Sequence, residues 1–417
     1  MGGEWVRRPL AELGEIVTGT TPPSSEPALF GQVHPFLTPS DMTYDARHVA
    51  TERFLSKEGG SRFDSRMLPA GSVSFVCIGA TIGKVAMTQV ATLTNQQINS
   101  IVVDSENHHP DFTYYLLRQY APEIRQHAGG AATPILNKTA FSRIELPIPP
   151  LPVQRKIAAV LLAYDVLIEN NLRRIEILEE MAQAVYREWF VNFRSPGHED
   201  VPLVDSPIGP IPDGWDAASF GDVAENHRKI VNPWGSLEEE FDHFSFAAFD
   251  AGGLPSTESA ETMKSGKLLV DGDSILLAKL NPRIPRVWFA RPRGVRRSVA
   301  SSEFLVLTSR GDMPLELVYA IASDPSFQSK LATMSGGTST SHQRLKLTDL
   351  VQLPIPVAPA EVVQAFGDLT GPMYRLVSNL LVQNTNLRAT RDLLLPRLVS
   401  GDIDVSDLDI DTEWLAS

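Results

Sequence analysis

Two stretches of this chain combine glycine, small hydroxyl side chains and a cation in the way that phosphate oxygens require. The first holds Gly129, Gly130, Thr133, Asn137 and Lys138; the second holds Gly336, Gly337, Thr338, Ser339, His342 and Arg344. Free backbone N–H groups, hydroxyls and a fixed positive charge are the usual means of holding a nucleic-acid backbone. A flexible connection with no ligand is the plainer explanation, and the recurrence of the pattern weighs against it. A third stretch carries Lys279, Arg283, Arg286, Arg291, Arg293, Arg296 and Arg297 with no acidic residue from 279 to 297, interleaved with Val287, Trp288 and Phe289. That pattern fits a nucleic-acid-facing strand and turn better than a solvated charge run. Looser candidates in the first half are Arg47, Arg62, Arg66 and Lys84. Asn95, Gln96 and Gln97, and in the second half Ser301, Ser302 and Glu303, stand at the mouth of a strand, where amides or carboxylates can read base edges.

Catalytic patterns are missing. Gly79-Ala80-Thr81-Ile82-Gly83-Lys84 is one residue short of a phosphate loop, and Val85 replaces the hydroxyl that would hold magnesium. No lysine follows an acidic residue at the spacing of a metal-dependent nuclease. Asn232-Pro233-Trp234 and Asn281-Pro282-Arg283 lack the continuation that grips a flipped adenine. Adjacent His108 and His109 read as surface residues of a polar loop, and no metal site is expected. The single cysteine, Cys77, lies in the apolar run Val73–Ile78 and reads as a buried strand thiol.

These residues must be positioned by more than one core, since 417 residues exceed one compact domain. The net charge of −13 opposes a nucleic-acid partner only on average, because charge is unevenly distributed: the basic run contrasts with Asp402, Asp404, Asp407, Asp409, Asp411 and Glu413 near the end. The longest apolar stretch, Ile157 to Tyr164, is too short to span a bilayer, and no leader is apparent, so a cytoplasmic protein without a membrane partner is expected.

The organising signal is a direct repeat. Trp5, Leu10 and Leu13 answer Trp215, Phe220 and Val223, and Gly71 before Val73–Ile78 answers Gly272 before Ser274–Ala278. Gly129-Gly130 answers Gly336-Gly337, and Leu146-Pro147-Ile148-Pro149 recurs letter for letter at 353–356. Ordered matches at a nearly constant shift mark a duplicated domain. Short strands beside short helices make each copy a mixed α/β domain.

Each copy is followed by a narrow heptad-like seam. Ile168, Asn171, Ile175, Leu178 and Val185 belong to the first, and Val377, Leu380, Asn384, Leu387 and Leu394 to the second. The simplest partner for each stripe is the other, giving an antiparallel pair of long helices and a pseudo-two-fold α+β chain with close ends. Asn171 and Asn384 either fix register as buried amides or are solvated where the helices splay. Gly367, Gly371 and Pro372 predict a break or kink in the distal helix, with its regular part starting near Pro372. The resulting plan is a first target-reading domain at 1–150, a central long helix at 151–194 and a Pro-rich linker at 195–212. A second reading domain at 213–357, a distal long helix at 358–401 and an acidic tail at 402–417 complete it. Residues 152 to 193, if helical, extend ~60 Å, enough to hold two readers one DNA turn of ~34 Å apart.

Leu-Pro-Ile-Pro followed by Pro152-Val153-Gln154-Arg155-Lys156-Ile157, together with Leu167-Ile168-Glu169-Asn170-Asn171, Tyr186-Arg187-Glu188-Trp189-Phe190 and Arg391–Leu398, resembles the specificity subunits of type I restriction-modification systems. The resemblance covers nearly the whole chain. It implies a non-catalytic reader of double-stranded DNA with a split target, whose two short sequences flank an unspecific spacer set by the helices. It also implies two methyltransferase subunits that bring S-adenosylmethionine, and a motor-nuclease restriction subunit. A duplicated coiled-coil adaptor that binds only protein is the rival reading.

Overall fold

The computed structural model describes residues 5–129, 133–334 and 343–416. The chain folds as two units, Met1–Ile168 with Asn386–Ser417, and Glu169–Thr385. Both mix helix and sheet.

Unit 1 contains β1 (Val6–Pro9), β2 (Gly14–Thr18), β3 (Phe30–Leu37), β4 (Arg53–Leu55), β5 (Val73–Val76), β6 (Val85–Met87), β7 (Leu93–Thr94), β8 (Ile98–Val103) and β9 (Glu145–Ile148). Four of these form a sheet in the order β2-β8-β5-β6, and three more form a second in the order β4-β3-β7, with β3 and β7 parallel. The Leu-Pro-Ile-Pro strand β9 pairs antiparallel with β1, so the repeated motif closes the domain onto its own N-terminal strand. A two-stranded ladder tolerates Pro147, which has no N–H to donate. Helix Pro110–Gln126 packs on β5 and β6 and buries Phe112, Tyr115, Leu116 and Leu117 against Phe75. Each such side chain contributes about 1.5–3 kcal/mol of transfer free energy. Cys77 is buried there, its Sγ accepting from Asn99 Nδ2 at 3.2 Å, and burial pushes the thiol up to about 12.

Unit 2 contains β10 (Leu203–Val204), β11 (Ile211–Pro212), β12 (Asp216–Ser219), β13 (Ala224–Asn226), β14 (Ile230–Val231), β15 (Glu240–Phe244), β16 (Ser256–Ser259), β17 (Lys267–Leu269), β18 (Ser274–Ala278), β19 (Val287–Ala290), β20 (Arg297–Ala300), β21 (Phe304–Ser309) and β22 (Pro354–Val357). Its four-stranded sheet runs β13-β21-β18-β19, the same order as in unit 1 with each strand replaced by its repeat counterpart. The second sheet has grown to five strands, β14-β17-β20-β15-β16, but keeps a parallel pair, β15 with β20, in the place of β3 with β7. Helix Leu315–Ser323 packs on β18, β19 and β21 as Pro110–Gln126 does in unit 1. The second Leu-Pro-Ile-Pro strand, β22, pairs with β12. Ile148 lies opposite Val6 and Ile355 opposite Ala218, a two-residue offset from the sequence alignment that leaves every side chain on its original face. The Pro-rich segment between the halves is held rather than loose: β10 pairs β11, and Ile208 and Ile211 pack with Trp215.

A long helix follows each domain. The proximal helix runs Leu151–Tyr186, 36 residues, and passes into a wider turn at Arg187–Val191. The distal helix runs Ala360–Val399, 40 residues, without the break expected at Gly367, Gly371 and Pro372. Packing overrides those residues' poor helix propensity. A Cβ on Gly367 would lie 2.8 Å from the ring of Pro314, so glycine is there to admit a neighbour. Beyond the helix, Gly401 takes φ 85°, the left-handed stop, against the indole of Trp5.

The two helices pair antiparallel within each unit. In unit 1 Ile157 and Leu161 share a core with Leu394, Leu395 and Leu398. Ile168 is buried and Leu387 half-buried on the same stripes of unit 1; in unit 2 Ile175, Leu178, Val377 and Leu380 form the seam, and Val185 packs into the domain core. Asn171 Nδ2 donates to Asn384 Oδ1 at 2.9 Å, and both amides are buried, so the splayed alternative does not hold. The seven-residue step from Leu387 to Leu394 is filled by Arg391, which a search for apolar residues passes over.

Candidate nucleic-acid interface

Of the residues singled out by type, those at 95–97 and before helix Lys138–Ser142 in unit 1, and those at 301–303 and 343–345 in unit 2, meet the end of the central strand, where four backbone hydrogen bonds are duplicated. In unit 1, Cys77 N–H donates to the Gln97 carbonyl at 2.8 Å and Leu136 N–H to that of Cys77 at 2.9 Å. Gly79 N–H donates to Pro134 and Asn95 N–H to Leu37, each at 3.0 Å. In unit 2 the counterparts are Lys279 to Glu303 at 2.9 Å, Leu345 to Lys279 at 2.8 Å, Asn281 to Gln343 at 2.9 Å and Ser301 to Phe244 at 2.9 Å. Gly79 and Asn281 also share a left-handed backbone, φ 88° and 52°. Asparagine is among the few residues with a side chain that accept that conformation. The end of the central strand, the turn at 95–97 or 301–303, and the segment leading to the last short helix are therefore one structure built twice.

In unit 1, Asn95 is turned inward, its Oδ1 accepting from Gln97 N–H and its Nδ2 donating to Gln97 Oε1, each at 3.1 Å. Gln96 is exposed and accepts from the Thr21 hydroxyl. Gly129, Thr133 and Lys138 are exposed, and Asn137 caps helix Lys138–Ser142 by accepting from Ala140 N–H at 2.9 Å. Gly130 lies outside the described residues. The looser basic candidates are occupied. Lys84 donates to the carbonyls of Pro39 and Met42 at 3.0 and 2.6 Å, and the stretch that ends on it is the turn of the β5–β6 hairpin, not a phosphate loop. Arg47 pairs with Asp111, Arg62 with Glu26, and Arg66 donates to the Thr18 carbonyl. His108 is buried and His109 largely so, against the surface position expected for both. Helix Pro110–Gln126 begins beside them, and Gln154 of the proximal helix bonds both, donating to His108 Nδ1 and accepting from His109 N–H.

The basic run of unit 2 is not one strip of free cations. Arg286 makes a bidentate pair with Asp250, both bonds 2.8 Å, and lies over Phe246. Arg291 lies over Phe289 between Asp273 and Glu316, while Arg296 and Arg297 pair with Glu240 and Glu238. The fold brings in those carboxylates from other parts of the sequence, on a strand, two helices and loops, so a run without acids becomes largely a set of ion pairs. Arg283 and Arg293 are exposed, with no carboxylate at ion-pair distance among the described residues. Ser301 Oγ accepts from Glu303 N–H, Ser302 is exposed, and Arg344 pairs with Glu303. Gly336, Gly337, Thr338, Ser339 and His342 lie outside the described residues. Lys279 is half-buried; burial holds its ammonium below the usual range, Glu303 opposes the shift, and Arg344 and Arg228 add to it. Arg228, in the consecutive triplet His227-Arg228-Lys229, is thus a member of this cationic group that the search for glycine-rich and basic runs missed.

The comparisons with known proteins agree with this duplicated architecture. Residues 2–180 match the type I restriction modification DNA specificity domain. The chain is 27% identical to the type I restriction enzyme MjaIX specificity subunit of Methanocaldococcus jannaschii, over 97% of this chain and 95% of the relative. It is 32% identical to the HindI specificity subunit of Haemophilus influenzae over 184 residues, 42% of this chain and 39% of that one. The crystal structure of a type I restriction-modification S subunit from M. genitalium shares the fold, with TM-score 0.60 and 13% identity over 95% of this chain and 96% of the other. No helix among the described residues is long and apolar enough to cross a membrane. With its repeated mixed α/β domains and paired helices, the chain is HsdS-like: it shares the fold of a type I restriction-modification S subunit and is similar along almost its whole length to a type I restriction enzyme specificity subunit.

Proposed function

We propose that this chain is the non-catalytic DNA-reading subunit of a cytoplasmic type I restriction-modification complex. Each domain reads one half of a split double-stranded target, and the paired helices set the unspecific spacer between the halves. Two methyltransferase subunits dock on the chain and bring S-adenosylmethionine for adenine methylation, and a restriction subunit joins them to cut unmodified DNA. The observation that carries this reading is the duplicated hydrogen-bonded edge, one backbone frame that bears different side chains in the two domains: Cys77, Gln97 and Ile135 in the first, Lys279, Glu303 and Arg344 in the second. A common frame with variable side chains suits two half-sites of different sequence, because phosphate contacts position the domain while base-edge contacts specify it. The test is selection from randomised duplex DNA by the chain with its methyltransferase partner. Two short enriched sequences at a fixed separation support the proposal; enrichment of no sequence, by a folded complex, refutes it. The chain without partners is expected to transfer no methyl group and cut no DNA.

A further inference from the structure

We infer that Arg344 reads a guanine in the half-site bound by the second domain, with Glu303 as the residue that positions its guanidinium; this rests on the DNA-reading role proposed above. Arg344 Nη2 donates to Glu303 Oε1 at 2.8 Å, and the two side chains are 59% and 26% exposed. The carboxylate is thus set back and the guanidinium stands forward. Its other N–H groups have no partner among the described residues.

The backbone under this pair is fixed on every side. Asn281 N–H to Gln343 and Leu345 N–H to Lys279 bracket Arg344, and Leu280 pairs with it as an isolated bridge. Lys279 N–H holds the Glu303 carbonyl, and Ser301 Oγ receives the Glu303 N–H. An arginine so held loses less side-chain freedom on binding than a free one, and its planar fork matches the O6 and N7 acceptors of guanine. Lys279 and Arg228 keep the surroundings positive despite the carboxylate. The same places in the first domain carry Gln97 and the exposed Ile135, which bridges Ile78 as Arg344 bridges Leu280. Isoleucine has no donor, so this mode of guanine reading belongs to the second half-site alone.

The experiment is selection from randomised duplex DNA by the complex of the full chain and its methyltransferase partner, using wild type, Arg344→Ala, Arg344→Lys and Glu303→Gln at matched melting midpoints. Wild type is expected to enrich a guanine at one fixed position of one half-site. Arg344→Ala should lower that preference about 10- to 100-fold at that position only, with the other half-site unchanged. Arg344→Lys, which keeps the charge and loses the fork, should relax the same position, and Glu303→Gln should weaken the preference without changing the salt dependence of binding. An unchanged motif in Arg344→Ala, or a uniform loss of affinity for all sequences, overturns the assignment. A wild-type complex that enriches no sequence overturns the DNA-reading role itself.

Discussion

Arg391 of the distal helix and Asp165 of the proximal helix form an ion pair with side chains only 3% and 6% exposed, and Tyr115 donates its hydroxyl to the same carboxylate at 2.5 Å. This cluster joins both helices to the first domain. Burying two charges costs about as much as their attraction returns, so the intact pair adds little net stability. Removing one partner is a different matter. Arg391→Met is expected to lower unfolding free energy by about 3–5 kcal/mol, because Asp165 is left charged and buried. Arg391→Met combined with Asp165→Leu and Tyr115→Phe should recover most of that loss. Urea unfolding of the three proteins checks this, and a triple variant no more stable than the single one contradicts it.

Burial holds the imidazoles of His48, His108 and His109 below their usual range; nearby Arg47 adds to the effect at His48. Their folded-state values lie below the unfolded value of about 6.5, so the unfolded chain binds more protons as the medium becomes acid. Their contribution to stability is therefore present above about pH 6.5 and is lost as pH falls below it. At His108 burial is the first cause, and a hydrogen bond is lost as well on protonation, since Nδ1 accepts from Gln154 Nε2 at 3.2 Å. Melting midpoints measured from pH 7.5 to 5.5 should fall, and more shallowly in His108→Gln. A midpoint independent of pH over this range contradicts the assignment.

Gly367 sits inside the distal helix, where alanine would ordinarily be better by about 1 kcal/mol. Its added Cβ would lie 2.8 Å from Pro314 Cβ and Cγ, closer than such contacts allow. Gly367→Ala is therefore expected to lower the melting midpoint despite its better propensity, and a raised midpoint would show that Pro314 can yield.

The repeat, the strands flanking the central hairpin of each domain and the two long helices were legible because their signals are periodic and local. The Gly-rich segments drew attention through glycine content, yet their described parts act largely through backbone bonds to the strand end at Cys77 or Lys279, which no composition records. Strands such as β16, Ser-Thr-Glu-Ser, carry no apolar alternation and are made by pairing alone. Arg391 and Asp165 escaped an apolar seam search because a satisfied charge can occupy a core position. The free charge of the basic run was overstated for the opposite reason: its partners, Glu238, Glu240, Asp250, Asp273 and Glu316, come from another strand, loops and two helices. Arg344 was visible only as one cation near a glycine pair, and its relation to Glu303 needed the sheet.

If the paired helices set the spacer between the two half-sites, as proposed, shortening both must shorten it. Deleting one heptad from each helix, residues 172–178 and 377–383, removes segments that face one another through Ile175 and Leu380 and keeps both stripes in phase. Seven helical residues correspond to about 10 Å, or about three base pairs. Mapping of methylated adenines in cells expressing the shortened chain with its methyltransferase partner is expected to show both half-sites intact around a spacer shorter by about three base pairs. Both half-sites retained around an unchanged spacer would contradict the account.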